Sequence, residues 1–411
     1  MADTAAHLVD RVFPIVPVRQ WVLSLPFALR YRMTYDAALV SDVLNVFIRA
    51  LFGELRRRAR QLQHLRSSQC GAVTFVQRFG DALNANPHFH CLVLDGAYAA
   101  GESGRPEFHQ LPAPENEDIL RLTTLVAERV ESLLKRRGLD AEAEAQEADP
   151  LSNDDPGMAS LVANSVRRRI AVGSNTGRGV VRLGDQIDGD HLDPFESPRC
   201  AMVSGFSVHA NVCIEAGDRL RLERLCRYAA RPAVATERLS ELPDGRLLYR
   251  LKRPWRDGTT AVIFEKQDFI AKLAVLTPAP RAHLTRYHGV LGPCAAWRSL
   301  IIPIAKEETV RAIGPAPAAP KSSTTPNAEG ETSATKPAKP RPRNYTWSDL
   351  MKRVFLVDVL QCEMCGGAMK IIAAIHAPGT TQKILECLGL PTRPPPLAPA
   401  LSRTTVQIDS F

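Results

Sequence analysis

No stretch of the 411-residue chain approaches the roughly 20 consecutive apolar residues that a membrane-spanning helix requires. Met1 to Asp10 lacks both the basic start and the apolar run of a secretory signal, so the expected location is the cytoplasm. Closely spaced cysteines are nearly absent. Of nine, seven (Cys70, Cys91, Cys200, Cys213, Cys226, Cys294 and Cys387) stand isolated, and only Cys362 and Cys365 are near one another. That spacing excludes a disulfide framework and suits thiols in a reducing compartment. No internal repeat is present, which sets aside solenoids and propellers. Nor does one charge sign dominate: 52 Lys and Arg face 44 Asp and Glu, for a net charge of +8. That sum hides a contrast, because Asp140 to Asp155 contributes −7 and everything else +15. The body of the protein is therefore basic enough to suit a polyanionic partner.

The length suits two or three domains. Residues 11 to 35 hold short apolar, strand-like pieces broken by prolines. From Asp36 to Leu65, apolar residues at Leu39, Val43, Phe47, Leu51 and Leu55 predict a helix. Gly71–Phe79 and His88–Leu94 are predicted strands, and Asn116–Arg137 a second amphipathic helix. An acidic insertion around 138–160 is expected to be a mobile, solvated segment. Cys200–Ile214 is a strand-like apolar run, and a capped helix is predicted from Gly217 or Asp218 to just before Pro232. Leu247–Trp255 and Thr260–Glu265 flank the hairpin-type turn Arg256-Asp257-Gly258, and a helix at Asp268–Leu276 follows. From Gly314 to Arg343 there are seven prolines and no apolar side chain larger than alanine, the composition of a flexible tether. The expected organisation is a main region at 1–312, a linker at 313–343 and a small C-terminal region at 344–411 carrying the Cys362-Glu363-Met364-Cys365-Gly366-Gly367 knuckle.

The sharpest local feature is Asn86-Pro87-His88-Phe89-His90-Cys91. On a strand, residues two apart share a face, so His88 and His90 project together while Phe89 points the other way. Two adjacent imidazoles can share one divalent metal, although many His-x-His pairs only pack. A second feature is Tyr228 near a helix end, with Arg224, Arg227 and Arg231 within about one turn. A tyrosine is a weak nucleophile unless nearby cations stabilise its phenolate, and a core aromatic beneath a basic face would look the same.

Taken together, these blocks resemble the rolling-circle transposases of the insertion sequence ninety-one family, which belong to the HUH (His-hydrophobic-His) single-strand nucleases. The resemblance spans most of Thr4 to Pro303. It rests on Ala5-Ala6-His7-Leu8-Val9-Asp10, Val12-Phe13-Pro14, Val16-Pro17-Val18-Arg19-Gln20-Trp21-Val22-Leu23-Ser24-Leu25-Pro26 and Val76-Gln77-Arg78-Phe79-Gly80. It continues through Asn84-Ala85-Asn86-Pro87-His88-Phe89-His90, Leu225-Cys226-Arg227-Tyr228-Ala229-Ala230-Arg231-Pro232 and Tyr287-His288-Gly289-Val290-Leu291.

The resemblance implies an α+β fold with an HUH-nuclease-like antiparallel sheet flanked by helices. It implies that His88 and His90 hold Mg2+ or Mn2+, with Asp81 or Gln77 as third ligand and His209 a further option, and that Tyr228 attacks single-stranded DNA to leave a 5′-phosphotyrosine. Arg224, Arg227, Arg231 and Arg78 are expected DNA-binding residues, and Arg56, Arg57, Arg58 and Arg60 are candidates for the same groove or, equally, a solvated helix face. Paired-tyrosine members carry a second tyrosine four residues earlier, where this chain has Arg224, so it resembles a single-tyrosine branch; Tyr249 and Tyr287 are poorer nucleophiles by position. Many members carry a Cys-rich zinc module upstream of the block that begins here at Ala2, and in this chain that module is expected to be lost or to lie outside the given start. Cys362 and Cys365 form half of a structural Zn2+ site, with Cys387 and His376 the nearest further ligands. The alternatives are a catalytically inactive DNA-binding remnant of a mobile element and a metal-dependent hydrolase, the latter leaving Tyr228 unexplained.

Overall fold

The computed structural model describes residues 1–139, 149–184, 198–255, 257–303, 345–373, 375, 377–390 and 392, and the chain divides into two units, Asp3–Pro303 and Ile304–Phe411. The tether read at 313–343 lies outside the described residues. Among those described, no helix is long and apolar enough to cross a membrane.

The chain opens with α1 (Ala2–Arg11) and β1 (Val18–Ser24), then α2 (Phe27–Tyr35) and α3 (Ala37–Gln63). Of the strand-like pieces expected before residue 36, only β1 is a strand. Pro26 fixes a φ of −54° at the start of α2, and Leu29 and Met33, four residues apart, are buried on one helical face. At the start of α3 the Asp36 carboxylate accepts from the Leu39 N–H at 2.8 Å. The helix ends at His64, whose φ of 56° is left-handed. Then come β2 (Gly71–Phe79), β3 (Ala85–Leu94), β4 (Gly96–Ala100), β5 (Pro106–Gln110) and α4 (Asn116–Arg136).

The acidic insertion is described at 138–139 and from Asp149 onward. Residues 140–148 lie outside the described set, but Asp149 accepts hydrogen bonds from the Tyr31 hydroxyl at 2.6 Å and the Tyr35 hydroxyl at 3.0 Å. Next come α5 (Pro150–Asp154) and α6 (Pro156–Val166), the latter capped by Asp155. At its described end the acidic run thus supplies anchored and capping carboxylates.

After β6 (Val181–Gly184), the single run expected at Cys200–Ile214 is three strands, β7 (Cys200–Val203), β8 (Phe206–His209) and β9 (Cys213–Ile214). Ser204 and Gly205 both take positive φ, 50° and 78°, and reverse the chain between the first two. Then follow α7 (Arg219–Ala229), β10 (Leu239–Glu241), β11 (Leu247–Arg250), β12 (Thr259–Phe264), α8 (Lys266–Leu276), β13 (Thr285–Gly289) and α9 (Arg298–Ile301). In the second unit, α10 (Trp347–Phe355) opens on a capping box between Thr346 and Asp349, and α11 is Pro378–Cys387.

The main sheet is antiparallel, ordered β13-β2-β3-β1-β8-β7 with β9 also on β1. Helices cover it, giving the expected α+β class. On one face Trp21, Leu23, Phe89, Cys91 and Val93 join a core with α2, α3 and α4. On the other, Val18, Leu92, Leu94, Val73 and Phe75 pack with α1 and α7. A second sheet, β10-β11-β12-β6, shares its core with α6 and α8. β3 is buried on both faces, which explains why its sequence reads as a nearly continuous apolar run.

One buried ion pair ties these strands at their shared end. Arg19 on β1 donates to both Asp95 carboxylate oxygens, at 2.8 and 2.7 Å, and to the Ala210 carbonyl at 3.0 Å. Both residues are about 95% inaccessible, with 4% and 5% exposure. The bidentate geometry satisfies both charges, whereas removing one partner strands the other. Asp95→Ala is expected to cost about 3–5 kcal/mol, read as a lowered midpoint in urea unfolding.

Candidate active site

β3 carries His88 and His90 on the face toward α7. Their pairing partners are Gln77 and Phe75 on β2, and Ser24 and Val22 on β1. The strand alternation seen in the sequence is realised: Phe89 enters the opposite core. The two imidazoles meet through Nε2, 3.1 Å apart. Each Nδ1 has its own partner, the Asn86 carbonyl at 2.7 Å for His88 and the Gln20 amide at 2.7 Å for His90.

Burial dominates their electrostatics. Desolvation pushes His88 down to about 4, aided by the positive charges of Arg231 and Arg30, while the bond to Asn86 opposes the shift. His90 lies well below the ordinary imidazole value, first through burial and then through His88 and Arg231. Both rings are neutral near pH 7, the state in which imidazole nitrogen can ligate a metal.

Tyr228 stands on the last turn of α7, its ring centroid 6.2 Å from that of His90. Asp218 caps this helix at its start. Arg219 anchors it further, donating to the Pro14 carbonyl at 3.0 Å, the Phe13 carbonyl at 2.8 Å and the Val9 carbonyl. Gln77 Nε2 donates to the Ala229 carbonyl at 2.8 Å, linking the strand beside His88 to the residue after Tyr228. Two cations flank the tyrosine ring: the Arg231 guanidinium and Lys252 Nζ, each 4.7 Å from its centroid. Burial and the neighbouring charges of Arg231 and Arg253 lower the Lys252 pKa.

The three suggested third ligands separate clearly. Gln77 directly faces His88 across the β2–β3 pair. Asp81 sits on the turn between those strands, and its charge is felt at His88. Among the described residues, however, no group of three His, Cys, Asp or Glu side chains is poised to hold a metal. His209 lies on β8, beyond Val22, and binds the Ser207 hydroxyl through Nε2 at 2.8 Å. The donors present fit a divalent cation in kind: two neutral imidazole nitrogens converge, each with its lone pair available once the other ring nitrogen holds the proton.

The arginines divide between the layers. Arg231, just past α7, is at the site, and Arg227 and Arg224 lie on α7, Arg227 paired to Glu223 at 3.0 Å. Arg78 points away, donating to the Thr34, Leu276 and Val275 carbonyls. Arg56, Arg57, Arg58 and Arg60 belong to α3, on the opposite face of the sheet. There Arg57 pairs with Glu54 and Asp118, and Arg58 is buried against the Pro112 and Ala113 carbonyls. The structure thus separates Arg78 and the α3 arginines from the histidine pair, although sequence spacing grouped them all as basic. Tyr249 is buried in the core of the second sheet, and Tyr287 lies on β13.

Two residues of the site escaped the sequence reading. Gln20 could have been noticed as the lone amide within the apolar run Val18–Leu25. Lys252 carries no local signal, since only the hairpin beginning at β11 brings it to Tyr228.

In the second unit, the Cys362 thiol is held low by the backbone N–H groups of Cys365 and Met364. The Gly366 N–H closes the turn on the Cys362 carbonyl at 2.8 Å. Cys387 is exposed on α11, and His376 lies outside the described residues. Two thiols are half of a zinc site, and among the described residues no third ligand joins them.

The fold and site define an α+β protein with a strand-borne histidine pair facing a helix-borne tyrosine. The Y2_Tnp family model, described as "Putative transposase", matches residues 71–298, more than half of the chain and the whole span from the strand beside the histidine pair past Tyr228. The chain belongs to this transposase family, and DNA is accordingly its partner. No curated protein and no solved structure matches it.

The arginine geometry has a measurable consequence. Arg231→Ala is expected to weaken binding of a DNA oligonucleotide and to lower the slope of log affinity against log salt by about 1. Arg57→Ala is expected to leave both unchanged in fluorescence anisotropy titrations.

Proposed function

We propose that the chain is the transposase of a bacterial insertion sequence, cutting and rejoining single-stranded DNA through a 5′-phosphotyrosine in rolling-circle transposition. The observation that carries this reading is the convergence of the His88 and His90 Nε2 atoms, 3.1 Å apart, beside the Tyr228 ring at 6.2 Å from His90. A water-activating hydrolase would give no role to a tyrosine held between two cations.

His88 and His90 would hold Mg2+ or Mn2+, with Gln77, which faces His88 across the β2–β3 pair, the better placed of the two suggested oxygen donors. Such an ion, when bound, draws charge from the scissile phosphate and fixes it for in-line displacement. Tyr228 Oη forms the new bond to phosphorus while the bond to the 3′ oxygen breaks. That oxygen takes up a proton and leaves as a free 3′-OH. Arg231 and Lys252, over the tyrosine ring, bring positive charge to the place where the negatively charged phosphate is attacked. Rejoining reverses the step: a 3′-OH displaces Tyr228, so phosphodiester bonds are conserved and no ATP is required. With Arg224 in place of a second tyrosine, one nucleophile serves both steps in sequence, or a second copy supplies the other.

The substrate must be unpaired at the cut, because the phosphodiester has to enter between α7 and the sheet. Incubation with a labelled single-stranded oligonucleotide library and Mn2+ is expected to yield a covalent adduct whose modified peptide contains Tyr228. Tyr228→Phe should abolish the adduct and leave DNA binding largely intact; an adduct that persists would overturn the assignment. His88→Ala and His90→Ala should each abolish nicking, and nicking that continues in chelator would remove the metal from the reaction.

A further inference from the structure

We propose that Gln20 is the positioning residue that decides which nitrogen of His90 carries the proton, and that its side-chain amide turns over when the histidine pair takes up a divalent cation. The second half of this inference rests on the metal reading above. Gln20 is 2% exposed, a position where an amide costs stability unless both of its polar ends are matched. Only one end is. Gln20 Nε2 lies 2.7 Å from His90 Nδ1, while Oε1 has no hydrogen-bond partner.

Proton accounting fixes the metal-free arrangement. The Asn86 carbonyl can only accept, so His88 Nδ1 must be the protonated nitrogen, and its Nε2 carries a lone pair. The 3.1 Å approach of the two Nε2 atoms then needs a proton from the other side, which only His90 can give. His90 is thereby an Nε2–H tautomer whose Nδ1 accepts from the Gln20 amide. Along the line of contacts Gln20 amide, His90 ring, His88 ring and Asn86 carbonyl, each proton meets a lone pair, and Gln20 Oε1 is left over.

A cation held by both Nε2 atoms needs a lone pair on each. His88 already offers one, but His90 must carry its proton on Nδ1. That proton would face the Gln20 N–H, donor against donor. A half-turn of the amide exchanges Nε2 for Oε1 with almost no change of shape, and the orphaned oxygen becomes the acceptor for Nδ1–H. Glutamine is thus the side chain that serves both states: leucine serves neither, and glutamate serves only the loaded one.

The test uses the full chain and its Gln20→Leu and Gln20→Glu variants. Mn2+ affinity is read by titration calorimetry, and imidazole tautomers are read by 15N NMR without metal and with diamagnetic Mg2+. Gln20→Leu is expected to bind Mn2+ about 10–100-fold more weakly, and Gln20→Glu more tightly than the unsubstituted chain. In the metal-free spectrum His90 should be Nε2–H in the unsubstituted chain and Nδ1–H in Gln20→Glu, with Mg2+ converting the former to Nδ1–H. A residue that merely packs would change stability and leave the tautomers alone. Should Gln20→Leu fail to fold, Gln20→Glu carries the comparison. Equal affinities in all three chains, or His90 as Nδ1–H in the metal-free unsubstituted protein, would overturn the proposal. An unsubstituted chain that binds no Mn2+ would instead sink the metal reading, and the metal-free tautomers would still decide the role of Gln20.

Discussion

Two imidazoles sit side by side on a strand buried on both faces, and the arrangement is stable only if each of their protons and lone pairs is placed. In water a misplaced imidazole proton costs little. Between two apolar layers an unmatched donor or acceptor forfeits its full hydration, about 1–3 kcal/mol. The neighbours of His88 and His90 answer to this constraint. The Asn86 carbonyl and the Gln20 amide take the outer nitrogens, and the two inner nitrogens take one another. Burial also keeps both rings neutral, so the feature that makes the pair expensive to fold is the one that leaves its nitrogens able to bind a cation.

The tyrosine is positioned by different means. The helix that carries it is fixed to the sheet by packing and by hydrogen bonds at both ends. Arg219 holds its first turn to carbonyls at the end of α1 and just beyond, and Gln77 holds its last turn to the strand beside His88. Both anchors use backbone carbonyls, which have no torsion to relax, so the tyrosine ring inherits the rigidity of the sheet. The cations over it come from two separate segments, Arg231 just past α7 and Lys252 after β11. Positive charge at the tyrosine therefore depends on tertiary structure in a way that the charges of α7 alone do not.

Much of this was legible in the sequence, and the reasons differ by element. Periodicity sufficed for α3, α4 and α7, each with a clear apolar stripe, and the alternation of His88, Phe89 and His90 is a property of any strand. Cys200–Ile214 defeated the same reasoning because all its stretches are apolar, and the reversal rests on the backbone angles of Ser204 and Gly205. Residues 27–35 were obscured by the adjacent prolines, although the spacing of Leu29 and Met33 already marks a helix. The basic residues were the least legible. Arg57 and Arg231 look alike in sequence, yet one neutralises Glu54 on the far side of the sheet and the other stands over Tyr228. Charge type is local information, whereas the face a charge occupies belongs to the whole fold.

That separation also bears on how the basic excess should be weighed. Arg57 and Arg121 hold Glu54 as a carboxylate, with its pKa lowered to about 2, and the cluster they form with Asp118 fastens α3 to α4. Arg19 is consumed by Asp95, and Arg58 and Arg78 by backbone carbonyls. Such cations add to the net charge and little to the field at the histidine pair, since most are paired with carboxylates at contact distance and the rest point away from it. Arg231 and Lys252 differ: both stand over the Tyr228 ring, and Arg231 lowers the pKa of His88 and of Lys252, the sign of a positive field not neutralised locally. A polyanion arriving at the histidine pair would meet this small convergent set, so the number of cations that face one another across the site matters more than the sum over the chain.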